Sequence, residues 1–144
     1  MKKTGRSPIP QGRYVPATRT ERLVFSAGMT PRRDGVLIHS GNIRAEVPPE
    51  EYRDAVRLAA ENALTAVRNM LLPEENIGQV LTMTVYINAE RTFTAHSKIA
   101  DYASEYLYEI LGDCGISART AIGVESLPAN APVEIQLVCC VEQA

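Results

Sequence analysis

The sequence predicts one soluble α+β domain, and three observations carry that expectation. The 144 residues are 45% hydrophobic and 22% charged, the balance of an ordinary folded domain and not of a disordered chain. Two stretches repeat apolar residues at helical spacing, and the segments around them alternate apolar with polar residues as strands do. A chain of this length buries roughly two-thirds of its unfolded surface, enough for a single core.

Residues 1–12, with Gly5, Pro8, Pro10 and Gly12, read as an irregular arm, and residues 13–144 as the domain. Arg13 to Thr18 is a short candidate for extended chain. Arg22 to Gly28 is a better one, rich in apolar residues. Asp34 and Gly35, between Pro31 and the apolar run Val36 to Ile38, signal a hairpin turn. At Pro48 the period changes. Pro48 and Pro49 followed by Glu50 and Glu51 suit a helix start, because the acids face the positive end of the helix dipole. Tyr52, Val56, Ala60, Ala63, Val67 and Leu71 then form one apolar stripe, and Pro73 stops the helix. Gln79 to Asn88 alternates, with Leu81, Met83, Val85 and Ile87 expected on the greasy face. A second helix is expected from Thr94 to Leu111, ending at Gly112. Two strands close the chain, Ala118 to Glu125 and Val133 to Val141.

The order is strands, helix, strand, helix, strands. It places two helices on one face of a mixed sheet. The other face is then uncovered, which predicts an oligomer.

Composition also narrows function. A formal net charge of −2 gives no long-range attraction for phosphate backbones or anionic lipid, which argues against nucleic-acid and membrane partners. No apolar run approaches the roughly 20 residues of a membrane span, and the basic N-terminus lacks the apolar segment of a secretory signal. Cys114, Cys139 and Cys140 form no metal-type spacing. They read as reduced thiols of a cytoplasmic protein, with Cys139 and Cys140 on opposite faces of a strand. No metal or cofactor is expected.

The closing strands hold the most informative pattern. Ala118, Thr120, Ile122 and Val124 share one face; Arg119, Ala121 and Gly123 share the other. A guanidinium beside two tiny side chains suits the floor of a pocket for a carboxylate, and such a charge-assisted contact contributes about 1.5–3 kcal/mol. On the last strand Glu134 and Gln136 point away from Val133, Ile135, Leu137 and Cys139. If the polar faces meet across strands or subunits, Arg119, Glu134 and Gln136 converge, and Glu134 can hold a water or carry a proton. The competing reading is structural: Arg119 pairs with Glu134, or reaches solvent at a strand end. Elsewhere the signals are weaker. His39 and His96 have no partner motif, and Ser26 lacks a nucleophile-elbow setting. Cys114 sits between glycines in a loop. Arg32 and Arg33 beside Asp34 read as a solvated turn, and Tyr102, Tyr106 and Tyr108 as helix packing and surface.

The run Ser26 to Pro31, the helix with Asn62, Ala63 and Leu64, the strand Thr82 to Ile87, and above all Ala118 to Pro128 with Pro132 to Gln136 resemble the Rid family. That family is also called YjgF-like and carries the older label endoribonuclease L-PSP. The resemblance implies a chorismate-mutase-like fold, a homotrimer, and ligand sites in clefts between subunits. For many members it implies hydrolysis of reactive enamines and imines to 2-keto acids and ammonia, without a cofactor. Carried over, Arg119 matches the arginine that grips the substrate carboxylate, Glu134 the acid near the attacking water, and Tyr14 the pocket tyrosine. Ala27 and Gly28 stand in the pocket where many deaminating members have Ser-Gly, and Ala121 where they often have Cys. The second helix is longer than in the best-known deaminases. Three functions follow as candidates. An imine or enamine deaminase leads, a non-catalytic trimeric binding protein for a 2-keto acid comes second, and a ribonuclease has little support without a histidine pair, metal cluster or basic surface.

Overall fold

The computed structural model describes residues 8–144. Most of the arm expected over residues 1–12 therefore lies outside the described residues; residues 8–16 form no strand or helix. β1 (Ala17–Thr20) and β2 (Leu23–Ser26) form an antiparallel hairpin. The extended stretch therefore begins later than Arg13 to Thr18 suggested. β3 (Arg32–Arg33) and β4 (Val36–Leu37) make a small hairpin at the expected Asp-Gly turn, and Arg32 and Arg33, expected within the turn, form its first strand. Asp34 and Gly35 take φ of 53° and 84° at its turn, the left-handed pair that makes Asp-Gly a turn signal.

A short 3₁₀ turn, Pro49–Tyr52, leads into α1 (Arg53–Arg68). All six residues of the expected stripe, Tyr52 to Leu71, are buried. The helix proper stops at Arg68, and Leu71 is carried inward by a turn closed by its N–H on the Arg68 carbonyl at 3.1 Å. β5 (Glu75–Asn88) follows, then α2 (His96–Leu111) with Gly112 at its end, β6 (Ala118–Val124) and β7 (Val133–Gln143). The main sheet has five strands in the order β1-β2-β7-β5-β6. β5 and β6, joined through α2, are parallel and the other pairs antiparallel. Two helices therefore pack on one face of a mixed sheet, as expected. Among the described residues no helix is long and apolar enough to cross a membrane.

The helices cover Val24, Val80, Met83, Val85, Ile87, Val133, Ile135, Leu137, Cys139 and Val141, all fully or almost fully buried. One expected member of that layer is missing. Leu81 is 40% exposed, because a register irregularity between Val80 and Thr82 shifts the alternation, and Val80 takes the core position instead. A bulge of this kind flips every side chain on one side of it. Thr82, Thr84, Tyr86, Glu134, Gln136, Val138 and Cys140 line the other face, half-buried, with no second layer of helix or strand over them among the described residues. Cys139 and Cys140 do point to opposite faces. Burial pushes the Cys139 thiol up to about 12, which makes it an inert core residue.

Candidate functional site

Glu134 is a poorly accommodated charge. It lies on the uncovered face of β7, opposite Tyr86 of β5, half-buried and without an ion pair or hydrogen bond among the described residues. Loss of solvent raises its carboxyl above the ordinary carboxylate range. A half-buried acid without a cation is the environment that turns a carboxylate into a proton acceptor useful nearer neutrality.

The segment after β2 explains how that acid is seated. Phe25 pairs with Val138, yet Met29 pairs with Ile135, so three residues of β2's continuation face two of β7. The surplus forms a bulge over Ala27 and Gly28. Ser26, buried, closes it: its hydroxyl accepts the Leu137 N–H at 2.9 Å and donates to the Ala27 carbonyl at 2.9 Å, and Gln136 Nε2 donates to the Ser26 carbonyl at 3.2 Å. The bulge brings the Gly28 backbone against Glu134. A Cβ at residue 28 would stand 2.6 Å from Glu134 Oε2, so only glycine fits while the carboxylate keeps its place. Ala27, partly buried, packs on the core.

Gly28 also lines a cleft of about 590 Å³ together with Tyr14, Met29, Arg32 and Asn62. Asn62 of α1 shapes its wall by donating to the carbonyls of Thr30 and Arg32 at 3.0 and 2.9 Å. Tyr14 is half-exposed and its hydroxyl accepts the Gln11 N–H at 3.0 Å.

Arg119 lies elsewhere. It is in register with Met83 of β5, which is in register with Leu137, so its side chain leaves the sheet on the helix-covered face. Tyr86 is in register with both Ile122 and Glu134, so Glu134 leaves on the opposite face. The two backbones are two strands across and three residues along, roughly 14 Å apart. Within one chain Arg119 and Glu134 therefore neither converge nor pair. The partner of Arg119 is Asp101 of α2, at 2.8 Å from Nη1, with the Ser104 hydroxyl at 3.0 Å from the same nitrogen.

The small residues beside Arg119 also have a packing reason. A Cβ at Gly123 would meet His96 Nε2 at 2.7 Å; His96, at the start of α2, fills that space and stands edge-on to Phe93 at 5.4 Å. Ala121 packs against the core. The structure thus divides the expected site in two. Tyr14, Gly28 and Glu134, with Ala27 in the same bulge, gather at the end of β2. Arg119 and Ala121 lie on the far edge strand. Asp101 and Ser104 were not singled out in the sequence. Their three-residue spacing on a helix that leads directly into Arg119's strand is the signal that marks them. No cluster of three metal-ligating side chains occurs among the described residues.

A mixed sheet with two helices on one face, a bulged glycine under a half-buried acid, and an arginine on the edge strand define a small α+β architecture with a candidate site in two halves. The match to known proteins is specific. The family described as Endoribonuclease L-PSP matches residues 4–141, and the chain belongs to that family. A RutC family protein of Aquifex aeolicus is 28% identical over 137 residues, covering 94% of this chain and 94% of that one. The crystal structure of a putative endoribonuclease from Shewanella oneidensis superimposes with a TM-score of 0.85 at 25% identity, covering 94% of this chain and 90% of its own. The crystal structure of E. coli TdcF with bound serine shares the fold at a TM-score of 0.71, 23% identity, and coverage of 94% and 93%.

Proposed function

We propose that the chain is a cytoplasmic hydrolase of small reactive imine or enamine carboxylates, working as a homotrimer without a cofactor. The observation that carries this reading is Glu134: half-buried, without a cation among the described residues, and held against a glycine on a sheet face that no second layer of described residues covers. A second subunit laid on that face covers it and completes the site. Arg119 of one chain then serves the substrate carboxylate, while Glu134, Gly28 and Tyr14 of another serve its reacting end. The family membership and the serine held by E. coli TdcF support a small ligand bearing a carboxylate.

The chemistry asks little of the protein. Water adds to the electrophilic C=N carbon as Glu134 takes its proton, giving a tetrahedral amino alcohol. With the imine nitrogen protonated at the outset, the proton then passes from Glu134 to the amino nitrogen. The C–N bond breaks as the hydroxyl gives its proton back to Glu134, and ammonia leaves a 2-keto acid. Positioning and exclusion of bulk water supply most of the acceleration, and a carboxyl raised above its ordinary range exchanges protons closer to neutral pH.

A coupled assay tests the reading. An amino-acid oxidase generates imino acids from alanine, leucine or methionine, and semicarbazide trapping times their disappearance. Wild type is expected to shorten their lifetime, and Arg119→Ala and Glu134→Gln to leave it at the uncatalysed value. Equal lifetimes with wild type and with no protein would remove the hydrolase. Ala27, which presents a methyl group in the bulge and no hydroxyl, favours a second reading, a binding protein for a 2-keto acid; saturable pyruvate binding without imine turnover would select it.

A further inference from the structure

The guanidinium of Arg119 is held at one corner only. Nη1 donates to Asp101 Oδ1 at 2.8 Å and to the Ser104 hydroxyl at 3.0 Å. Nε and Nη2 have no acceptor among the described residues. These two nitrogens form the side-on edge of the fork, whose parallel N–H bonds match the two oxygens of a carboxylate. The side chain is 23% exposed, so the open edge is reachable and not sealed in the core. α2 is why the anchor lies where it does. Asp101 and Ser104, three residues apart, share a face of the helix, and that face packs on β6.

We propose that Asp101 and Ser104 are positioning residues: they pin Nη1 so that the Nε–Nη2 edge of Arg119 is presented, already oriented, to a monocarboxylate ligand. The proposal rests on the reading of Arg119 as the carboxylate-binding group and adds to it the device that orients the group. Position and not charge is the contribution of Asp101. Its side chain is 54% exposed, and water screens an exposed pair so that its Coulombic effect on a nearby ligand is small. An unpinned arginine samples several rotamers, and each binding event must then restrict them. The sequence Asp101, Ser104, Arg119 thus sets affinity through preorganisation without touching the ligand.

The test compares Asp101→Ala, Ser104→Ala, their double variant, Asp101→Asn and Arg119→Ala. Pyruvate binding is measured by calorimetry and imine turnover by semicarbazide trapping, with melting temperature and oligomeric state as checks on folding. Loss of the two anchors is expected to weaken pyruvate binding and raise KM about tenfold, the effect of losing hydrogen bonds to a charged group, with kcat changed little. Asp101→Asn keeps an acceptor oxygen and is expected to stay within about twofold of wild type. Tighter binding by both Asp101→Ala and Asp101→Asn would show that Asp101 masks Arg119, and would overturn the proposal. So would unchanged binding in the double variant while Arg119→Ala abolishes it. Wild-type binding by Arg119→Ala fails the underlying reading instead, and is distinguishable from both. The Arg119 Nε–H resonance gives a readout that does not depend on turnover: pyruvate is expected to shift it in wild type, and a resonance unmoved by saturating pyruvate would contradict the open edge.

Discussion

Both edges of the five-stranded sheet carry an arginine on the helix-covered face, and the two are finished differently. Arg19 is on β1, in register with buried Val24. Its Nη1 and Nη2 meet both oxygens of Glu75 at 2.6 and 2.7 Å, Nη1 also reaches the Met70 carbonyl at 3.0 Å, and Nε the Glu21 carbonyl at 2.8 Å. Every nitrogen has an acceptor. Glu75 is equally occupied, taking the Leu72 N–H at 2.7 Å as well. This network ties the hairpin to the turn after α1 and to the start of β5. Arg119, on the opposite edge, uses one nitrogen and leaves two open. The same residue type thus closes a fold at one edge and, in the proposed function, receives a ligand at the other. Unsatisfied donors, more than the presence of an arginine, single out Arg119 as the candidate.

The comparison can be broken most easily at Arg119. Arg119→Ala is expected to cost more than about 100-fold in kcat/KM for imino acids, from two charge-assisted bonds lost at about 1.5–3 kcal/mol each, with the melting temperature nearly unchanged. A large fall in melting temperature would place Arg119 beside Arg19 as a structural residue. Next comes the acid on the other half of the site. Gly28→Ala puts a methyl group 2.6 Å from the present position of Glu134 Oε2, too close for both, and is expected to lower kcat about tenfold, by shifting a proton acceptor off its position. Full activity in Gly28→Ala would show that the placement of Glu134 is immaterial.

Arg19→Ala should behave in the opposite way to Arg119→Ala. It is expected to lower the melting temperature by roughly 5 °C, in the range for a lost network in a domain of this size, and to leave turnover at 25 °C intact. The pH dependence sharpens this further. Arg19, and then the Leu72 N–H, hold the Glu75 carboxyl at about 2, down from an ordinary value of 4.5. A carboxyl depressed in the folded state binds its proton more readily in the unfolded chain. Its stabilisation is complete above pH 4.5 and is lost as pH falls towards 2. Urea midpoints between those limits are expected to fall less steeply in Glu75→Gln than in wild type; parallel slopes would remove Glu75 as the source.

Much of this was legible in the sequence, for identifiable reasons. The stripe from Tyr52 to Leu71 and the alternation of β7 follow from local periodicity alone, and Asp34-Gly35 from turn chemistry. The phase of β5 was not legible, because the irregularity at Val80 and Thr82 leaves no composition signal and sent Leu81 to the wrong face. The site shows the same division. Glu134 and Gly28 were both marked, but their contact depends on a bulge that is a property of the paired strands. The small residues beside Arg119 suggested empty space. The structure gives the space at Gly123 to His96, a neighbour that only the packing of α2 on β6 supplies. Above all, Arg119 and Glu134 share a polar pattern but opposite sheet faces, since Met83 and Tyr86 carry their registers.

That separation leads to the central claim, that one working site takes Arg119 from one chain and Glu134 from another. Subunit mixing tests it most directly. Arg119→Ala and Glu134→Gln proteins, each inactive alone, are combined under conditions that exchange subunits, and imine turnover is followed. In a randomly mixed cyclic trimer about a quarter of the interfaces join an intact Arg119 to an intact Glu134, so activity is expected to return to about a quarter of wild type. Mixed assemblies that stay as inactive as their parents would contradict a site shared between chains.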